Sequence, residues 1–283
     1  MNALAMSDIV KSIHDLPAVP VIVSELIATL DNDDANANTL ANELSKDLAL
    51  SAKTLRLANS SFYGRSNTVS TIPQAIAILG FNSVRTMVTS AAVISHFAAG
   101  KHASFDFEAF WRHSIGTALC ARILAEQVQA NPDRAFMAGL LHDIGRLVLV
   151  TGSPRHYAEV AAYRKEKDCY MFDAERQVLG IDHAMVGCAL ASHWKFPLLI
   201  QNAIASHHAP DVNEADMLGA VVHLADCIVH ALDLSDDPSD LVYPVSEAVW
   251  RKFNLAEDVL AKIYRQTEAQ FDEASKILLA MQA

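Results

Sequence analysis

The sequence is poor in the residues that interrupt helices, with only 10 glycines and 9 prolines among its 283 residues. This scarcity excludes a collagen-like or low-complexity chain, and a content of 52 % hydrophobic and 19 % charged residues excludes a largely disordered one. No segment alternates apolar and polar residues as a half-buried strand does, whereas the abundant alanine and leucine favour helices. We therefore expect an all-α protein made of one large domain or two modest ones.

The sequence also has no CxxC pair and no long uninterrupted apolar run. Its cysteines lie far apart, as expected of reduced and mostly buried thiols: Cys120, Cys169, Cys188 and Cys227. A transmembrane helix needs roughly 18–20 uninterrupted apolar residues, and no stretch reaches that length. The N-terminus, MNALAMSDIV, lacks the positive leader and apolar run of a signal peptide. These absences predict a cytoplasmic protein with no membrane partner.

Clusters of positive charge are missing as well. The formal net charge is −11, and the sequence contains no run of lysine and arginine. Because binding to phosphate backbones depends on a basic footprint, we predict no nucleic-acid partner.

The helical segments fall into two parts on either side of a stretch of changed composition, AAGKHASFDFE at 98–108. We predict an N-terminal helical lobe over residues 1–100 and a second helical bundle over residues 101–283. The second bundle ends in an amphipathic helical tail from about residue 255. The predicted architecture is therefore a two-lobed helical bundle.

Local signals place some helix ends in the first lobe. Pro73 suits the first turn of a helix that Gly80 would end. Asn82 or Ser83 is the expected cap of the helix that follows.

One apolar segment, FMAGLLHDIGRLVLV at 136–150, has a His-Asp dipeptide in its middle. Its apolar residues recur at helical spacing and predict a core helix over about 134–150. Burying the carboxylate of Asp143 is costly unless a partner compensates its charge. His142 and Asp143 therefore indicate either a hydrogen-bonded pair that holds helices together or ligands of a divalent metal.

Further imidazole and carboxylate side chains follow along the second bundle. In chain order the candidate metal ligands are His113, His142, Asp143, His183, His207, His208 and Asp226. A bundle can point such side chains inward from several helices at once. This donor set suits one or two divalent ions of Fe, Mn, Zn or Ni rather than Ca.

The remaining histidines have simpler interpretations. A single histidine on an apolar helix is more often a structural core residue than a ligand, and we interpret in this way His14, His96, His102, His156 and His193. His223 and His230 share a helical face with Asp226, and either is the expected hydrogen-bond partner of that carboxylate.

The order of these residues resembles the HD superfamily of metal-dependent phosphohydrolases. Its H…HD…D signature is matched by His113, His142, Asp143 and Asp226, and members with two metals have further ligands similar to His183, His207 and His208. Six segments resemble the HDOD family, the HD-related output domain of bacterial signalling proteins. They are LPAVP (16–20), NSSFYG (59–64), AIAILGFNSVR (75–85), LLHDIGR (140–146), DHAMVGCALASHW (182–194) and HLAD (223–226). The resemblance covers roughly residues 16–231.

The resemblance also implies catalytic roles for Asp143 and Arg146. Asp143 matches the carboxylate that bridges two metals, and Arg146 stands where related enzymes have a lysine and would steady phosphate charge. Two departures accompany these matches. Ala209-Pro210-Asp211 replaces the Glu and Gly-Tyr-Pro segment of cyclic-dinucleotide phosphodiesterases, and Ala109 replaces a glutamate that binds a third metal in some members.

Two functions follow from the resemblance. The first is a bacterial signal-transduction protein that keeps an HD-type metal site and binds signalling proteins or a small phosphorylated effector. The alternative is an active metal-dependent phosphohydrolase for phosphate mono- or diesters, nucleotides among them. An open metal site with room for a phosphate ester would favour the alternative.

Overall fold

The computed structural model describes residues 21–28, 48–59, 68–97, 105–210, 217–237 and 241–279, together with Lys11, Ile13, Ala41 and Leu44. The LPAVP segment and most of the NSSFYG turn lie outside the described residues, as do residues 98–104 of the expected boundary between lobes.

Every regular element in the described ranges is a helix, and no strand occurs there, so the all-α prediction is confirmed. In chain order the helices are α1 (Val21–Ala28), α2 (Leu48–Ala58), α3 (Ile72–Leu79), α4 (Phe81–His96), α5 (Phe107–Gln127), α6 (Pro132–Leu141), α7 (Ile144–Gly152), α8 (Pro154–Lys167), α9 (Met171–Leu179), α10 (His183–His193), α11 (Leu198–Ser206), α12 (Met217–Ala231), α13 (Glu247–Phe253) and α14 (Glu257–Leu279).

The junction of α3 and α4 shows how local chemistry sets helix ends. Thr71 caps α3 by accepting a hydrogen bond from the backbone N–H of Gln74, and Gly80 ends the helix at a φ of 86°. Gly80 leads directly into α4 at Phe81 without a side-chain cap. The prediction that Asn82 or Ser83 caps α4 is therefore wrong, because a glycine at positive φ joins the two helices with no intervening loop.

The apolar stretch around His142 and Asp143 is two helices rather than one. Helix α6 ends at Leu141 and α7 begins at Ile144. The prediction of one continuous helix over 134–150 is wrong, because the chain turns at the dipeptide and Asp143 takes a φ of −97° and a ψ of 6°. The stretch Pro132–Gly152 is long and apolar enough to cross a membrane, but 83 % of its apolar window is buried inside the protein.

Helix α5 is the central helix of the second bundle and packs against α6, α12 and α14. Helix α10 packs against α7 and α11, and α4 contacts α6. One continuous apolar core includes Met87 of α4 and Trp111 of α5, so helices from both predicted lobes share it. The division into lobes at residue 100 stays a prediction.

Two glycines bring helices into backbone contact beside the His-Asp turn. A Cβ atom on Gly139 would lie 2.9 Å from the Cα of Ala118, so α6 lies directly on α5. A Cβ atom on Gly145 would overlap the carbonyl oxygen of His183 and lie 2.6 Å from the nitrogen of Gly187. Helices α7 and α10 therefore cross at backbone contact, which holds the start of α10 against the His-Asp turn.

Candidate metal centre

The predicted ligands come from separate parts of the second bundle and meet in its interior. His113 lies on α5, His142 and Asp143 form the turn between α6 and α7, and His183 is the first residue of α10. His207 and His208 directly follow α11, and Asp226 lies on α12. All of them are buried except His208, which is half-buried. The structure thus brings together all seven predicted ligands, and their roles as ligands stay a prediction.

One set of donors surrounds Asp143, and we call Asp143, His183, His207 and His208 the Asp143 group. Asp143 Oδ1 lies 3.0 Å from Nε2 of His183 and 3.6 Å from Nε2 of His207. Nε2 of His208 lies 2.8 Å from Nε2 of His183. One donor atom from each residue lies within 4.8 Å of every other, which is close enough to share a metal ion.

A second set surrounds Asp226, and we call His113, Asp226 and His230 the Asp226 group. Asp226 Oδ1 lies 3.0 Å from Nε2 of His113 and 3.2 Å from Nε2 of His230. His142 lies between the two groups, because its Nε2 is 3.6 Å from both Asp143 Oδ1 and Asp226 Oδ1. The arrangement offers two neighbouring positions for a cation.

The two histidines that were expected beside Asp226 have different partners in the structure. His230 contacts the carboxylate about as closely as His113 does, and its ring lies against that of His113 with centroids 4.3 Å apart. His223 instead donates from Nδ1 to the carbonyl of His207 at 2.7 Å and accepts from the Ser246 N–H at 2.9 Å. His230 is therefore a direct member of the cluster, whereas His223 supports the chain that carries His207.

Hydrogen bonds on the outer side of the cluster orient the imidazoles. Nδ1 of His142 lies 2.7 Å from the Gly139 carbonyl, and Nδ1 of His207 lies 2.7 Å from the Ile204 carbonyl. Carbonyl oxygens only accept, so each Nδ1 carries a proton, and in its neutral form each ring presents its Nε2 lone pair to the cluster. Lone pairs that converge on carboxylates repel one another unless a cation lies between them.

Glu175 orients His183 in the same way. Its Oε2 accepts hydrogen bonds from Nδ1 of His183 at 2.6 Å and from the His183 backbone N–H at 2.8 Å. A carboxylate behind a metal-ligating imidazole fixes the ring and raises the basicity of its other nitrogen. Sequence reasoning missed Glu175, because it lies on a different helix from His183 and no local spacing links the two residues.

The electrostatics of the cluster agree with a need for a cation. Burial alone would raise the pKa values of Asp143 and Asp226, but neighbouring imidazoles hold both well below the ordinary value. Burial lowers the pKa of His113 and of His207, so these rings favour the neutral, metal-ligating form. His207 Nε2 makes no hydrogen bond to any described residue. Charged carboxylates and neutral imidazoles fit a divalent metal of the first transition row.

A cavity of about 460 Å³ adjoins the cluster, since His113 and Arg146 are among its lining residues. Nη1 of Arg146 lies 3.0 Å from Asp143 Oδ2, and the guanidinium lies 5.7 Å and 5.9 Å from the ring centroids of Phe105 and Phe110. The cluster therefore has a neighbouring space with a fixed positive charge at its inner end.

The fold and the cluster together describe an all-helical protein whose bundle gathers histidines and aspartates at a candidate metal centre. The model of the HDOD domain family matches residues 16–210. The chain belongs to the HDOD family, and the resemblance inferred from the sequence is confirmed.

Solved structures with the same fold extend over almost the whole chain. A candidate phosphohydrolase from Shewanella amazonensis SB2B is 27 % identical, with a TM-score of 0.77 and 98 % of each chain covered. An HDOD domain protein from Geobacter sulfurreducens is 25 % identical, with a TM-score of 0.73 over 98 % of this chain and 94 % of that one. A candidate signal-transduction protein from Marinobacter aquaeolei VT8 is 20 % identical, with a TM-score of 0.78 over 98 % of this chain and 65 % of that one, and shows the fold alone.

The curated relatives are longer proteins. An uncharacterised protein of Treponema pallidum is 26 % identical over 235 residues, which are 80 % of this chain and 44 % of that protein. Ribonuclease Y of Streptococcus sanguinis is 30 % identical over 117 residues, which are 41 % of this chain and 17 % of that enzyme. The chain thus spans less than half the length of these relatives.

Proposed function

We propose that this chain binds one or two divalent metal ions at the Asp143 and Asp226 groups and hydrolyses a phosphate ester there, as part of a bacterial signal-transduction protein. The observation that carries the proposal is the convergence of imidazole lone pairs and two carboxylates beside a cavity lined by Arg146. An open site with room for an ester is the feature that favours hydrolysis over regulation alone.

The residues divide the work between holding metal and holding substrate. Asp143 and His142 lie between both positions and would contact ions in each, while His183, His207 and His208 complete one position and His113, Asp226 and His230 the other. Bound divalent metals supply Lewis-acid activation of a water nucleophile and of the phosphoryl oxygens. Arg146 stays cationic at any physiological pH and would balance charge on the phosphoryl group.

The proposed substrate is a small phosphorylated molecule. The cavity of about 460 Å³ matches a small-molecule site. The similarity to Ribonuclease Y covers 41 % of this chain, and the net charge of −11 disfavours a polynucleotide. We therefore propose neither a nucleic-acid nor a membrane partner.

The test combines metal analysis with hydrolysis of p-nitrophenyl phosphate and bis(p-nitrophenyl) phosphate. Wild-type protein reconstituted with Mn²⁺, Fe²⁺, Ni²⁺ or Zn²⁺ should retain metal and release p-nitrophenol. His207→Asn removes a buried donor and should lower metal affinity and hydrolysis at least about tenfold. The exposed His193→Asn serves as control and should leave both unchanged. Wild-type protein that binds no metal would contradict the proposal.

A second candidate is a regulatory module that binds metal without turnover and acts on partner proteins. It is favoured by Ala209-Pro210-Asp211, which stands where related phosphodiesterases have their substrate segment. This candidate predicts a full complement of metal and no hydrolysis of either ester. It also predicts that the protein captures cognate signalling proteins in a pull-down, and that His207→Asn weakens this binding.

A further inference from the structure

Two hydrogen-bond donors are buried without acceptors on the wall of the cavity next to the metal centre. Tyr157, on α8, is 2 % exposed, and its hydroxyl makes no hydrogen bond to any described residue. Nε of Arg146 is buried and likewise has no acceptor in the described part of the chain. Both residues line the cavity that also includes His113. A buried donor without an acceptor is costly, so two of them on one cavity wall indicate a ligand that accepts hydrogen bonds.

The two residues satisfy each other only in part. Arg146 can donate to the Tyr157 oxygen, but a guanidinium has no acceptor atom, so the Tyr157 hydroxyl proton finds no acceptor there. Burial raises the pKa of Tyr157, which keeps the hydroxyl protonated and able to donate. The group that can accept from both residues is an anion with several acceptor oxygens.

The position of the pair relative to the metal centre restricts that anion further. Nη1 of Arg146 already bonds to Asp143 Oδ2 at 3.0 Å. Nε belongs to the same guanidinium and has no acceptor among the described residues, so an acceptor bound there would lie close to the Asp143 group. The rings of Phe105 and Phe110, whose centroids lie 5.5 Å apart, both lie within 6 Å of the guanidinium and help to hold it in place. An oxyanion held by Arg146 and Tyr157 would therefore lie beside the metal positions.

The cavity continues away from the cluster along one face of α8. Tyr157, Ala161, Arg164 and Lys165 all line it, and their spacing of four, seven and eight residues places them on the same side of the helix. A seven-residue separation corresponds to about 10 Å along a helix. This length exceeds that of a phosphate ion and leaves space for a substituent.

We propose that Tyr157 is a substrate-binding residue that, with Arg146, binds the phosphate group of a phosphate ester beside the metal centre, with the ester's substituent lying along α8. The inference rests on the proposed function, because it places this phosphate next to the metal that would activate water. It deepens that function by assigning a donor outside the metal-ligand set.

The experiment measures the binding of inorganic phosphate to metal-loaded protein by titration calorimetry, together with the metal content of each sample. Tyr157→Phe removes only the hydroxyl and should weaken phosphate binding about tenfold or more. Tyr163→Phe removes a hydroxyl from the same helix outside the cavity lining and should bind phosphate as the wild type does. Because phenylalanine keeps the ring that packs in the core, both variants should retain wild-type metal content and melting temperature.

The outcomes separate this inference from the proposed function. Equal phosphate affinity for wild type and Tyr157→Phe, at full metal content, would overturn the role of Tyr157 and leave the metal-dependent function standing. Wild-type protein without metal would overturn both. A selective loss of phosphate affinity in Tyr157→Phe, with metal content unchanged, is the expected result.

Discussion

The Asp143 group and the Asp226 group offer similar donor atoms but hold them by different means. In the Asp143 group, Glu175 and the Ile204 carbonyl orient the rings of His183 and His207 from outside. In the Asp226 group, Nδ1 of His113 is buried and has no hydrogen-bond partner among the described residues. Outer partners fix ring orientation and strengthen a ligand, so the Asp143 group should bind metal more tightly than the Asp226 group.

The largest expected effect contrasts the two carboxylates. Asp143 is close enough to share an ion with the rest of its own group and also with His113 and His142, whereas Asp226 forms such a set only with His113 and His230. Asp143→Asn should therefore abolish binding at both positions, because a neutral amide cannot balance two cations. Asp226→Asn should leave metal at the Asp143 group. Metal content measured by mass spectrometry after dialysis checks both variants.

The control for this contrast is Asp258→Asn, which removes an exposed carboxylate at the start of α14 and should leave metal content at the wild-type value. Equal metal loss in Asp143→Asn and Asp226→Asn would show that the two positions fill only together. The difference between the groups would then carry no functional meaning.

The next effect concerns the helix crossing that holds the Asp143 group together. A Cβ atom on Gly145 would overlap the His183 carbonyl oxygen, so Gly145→Ala must push α7 from α10. We expect a loss of about 3 kcal/mol in the free energy of unfolding, at the upper end for an overpacked site. For a chain of this size that corresponds to a melting temperature lower by roughly 6–12 °C. Thermal unfolding followed by circular dichroism measures it.

Gly152→Ala is the matched control, since this glycine ends the same helix and is exposed. It should change the melting temperature little or raise it, because alanine favours the helical state. If Gly145→Ala melted at the same temperature as the wild type, α7 and α10 could move apart at their crossing without loss of stability. The Asp143 group would then not depend on rigid contact between the two helices.

A pH experiment on metal-free protein separates the groups in another way. Burial alone would lower the pKa of His183, but the charges of Glu175 and Asp143 outweigh it and raise that pKa from 6.5 to about 10. The folded state thus keeps a proton that the unfolded state releases above 6.5. The stabilisation is complete below that pH and is lost as the pH rises toward 10. His113 of the Asp226 group adds no such slope, since burial lowers its pKa.

Urea unfolding at about pH 7, 8 and 9 in the presence of a chelator should show a free energy of unfolding that falls by at most about 1.4 kcal/mol per pH unit. Glu175→Gln removes one of the charges that hold the proton, so its slope should be shallower. Glu159→Gln changes an exposed glutamate and should keep the wild-type slope. A rise in stability over this range would reverse the assignment of the proton to His183.

Much of the fold followed from sequence, because helix formation here depends on local signals. Scarce glycine and proline and helical spacing predicted an all-α chain, and Pro73 and Gly80 correctly bounded α3. The break at His142 and Asp143 could not be predicted, because apolar residues continue through it at helical spacing. The turn arises from tertiary packing at Gly139 and Gly145, where neighbouring backbones leave no space for side chains.

The candidate site was predictable in its residue types but not in its supporting contacts. His223 and His230 lie three residues before and four residues after Asp226, so spacing alone could not decide which one faces the carboxylate. Glu175 was missed because it lies on α9, a helix of mixed polarity that was not anticipated. A buried carboxylate partner becomes visible only when α9 is placed against α10.

The smallest expected effect tests whether His230 is a ligand of the Asp226 group or only a neighbour of its carboxylate. Nε2 of His230 lies 3.2 Å from Asp226 Oδ1, which is close enough for both atoms to bind the same metal ion. The ring of His230 also lies against that of His113. His230→Gln should weaken the lower-affinity metal position about tenfold, which equals about 1.4 kcal/mol, and leave the Asp143 group at full occupancy. Competition with a chromophoric chelator resolves the two affinities, and the exposed His193→Gln should alter neither of them. Loss of the tighter ion in His230→Gln would mean that the Asp226 group, although Nδ1 of His113 has no hydrogen-bond partner among the described residues, holds the stronger position.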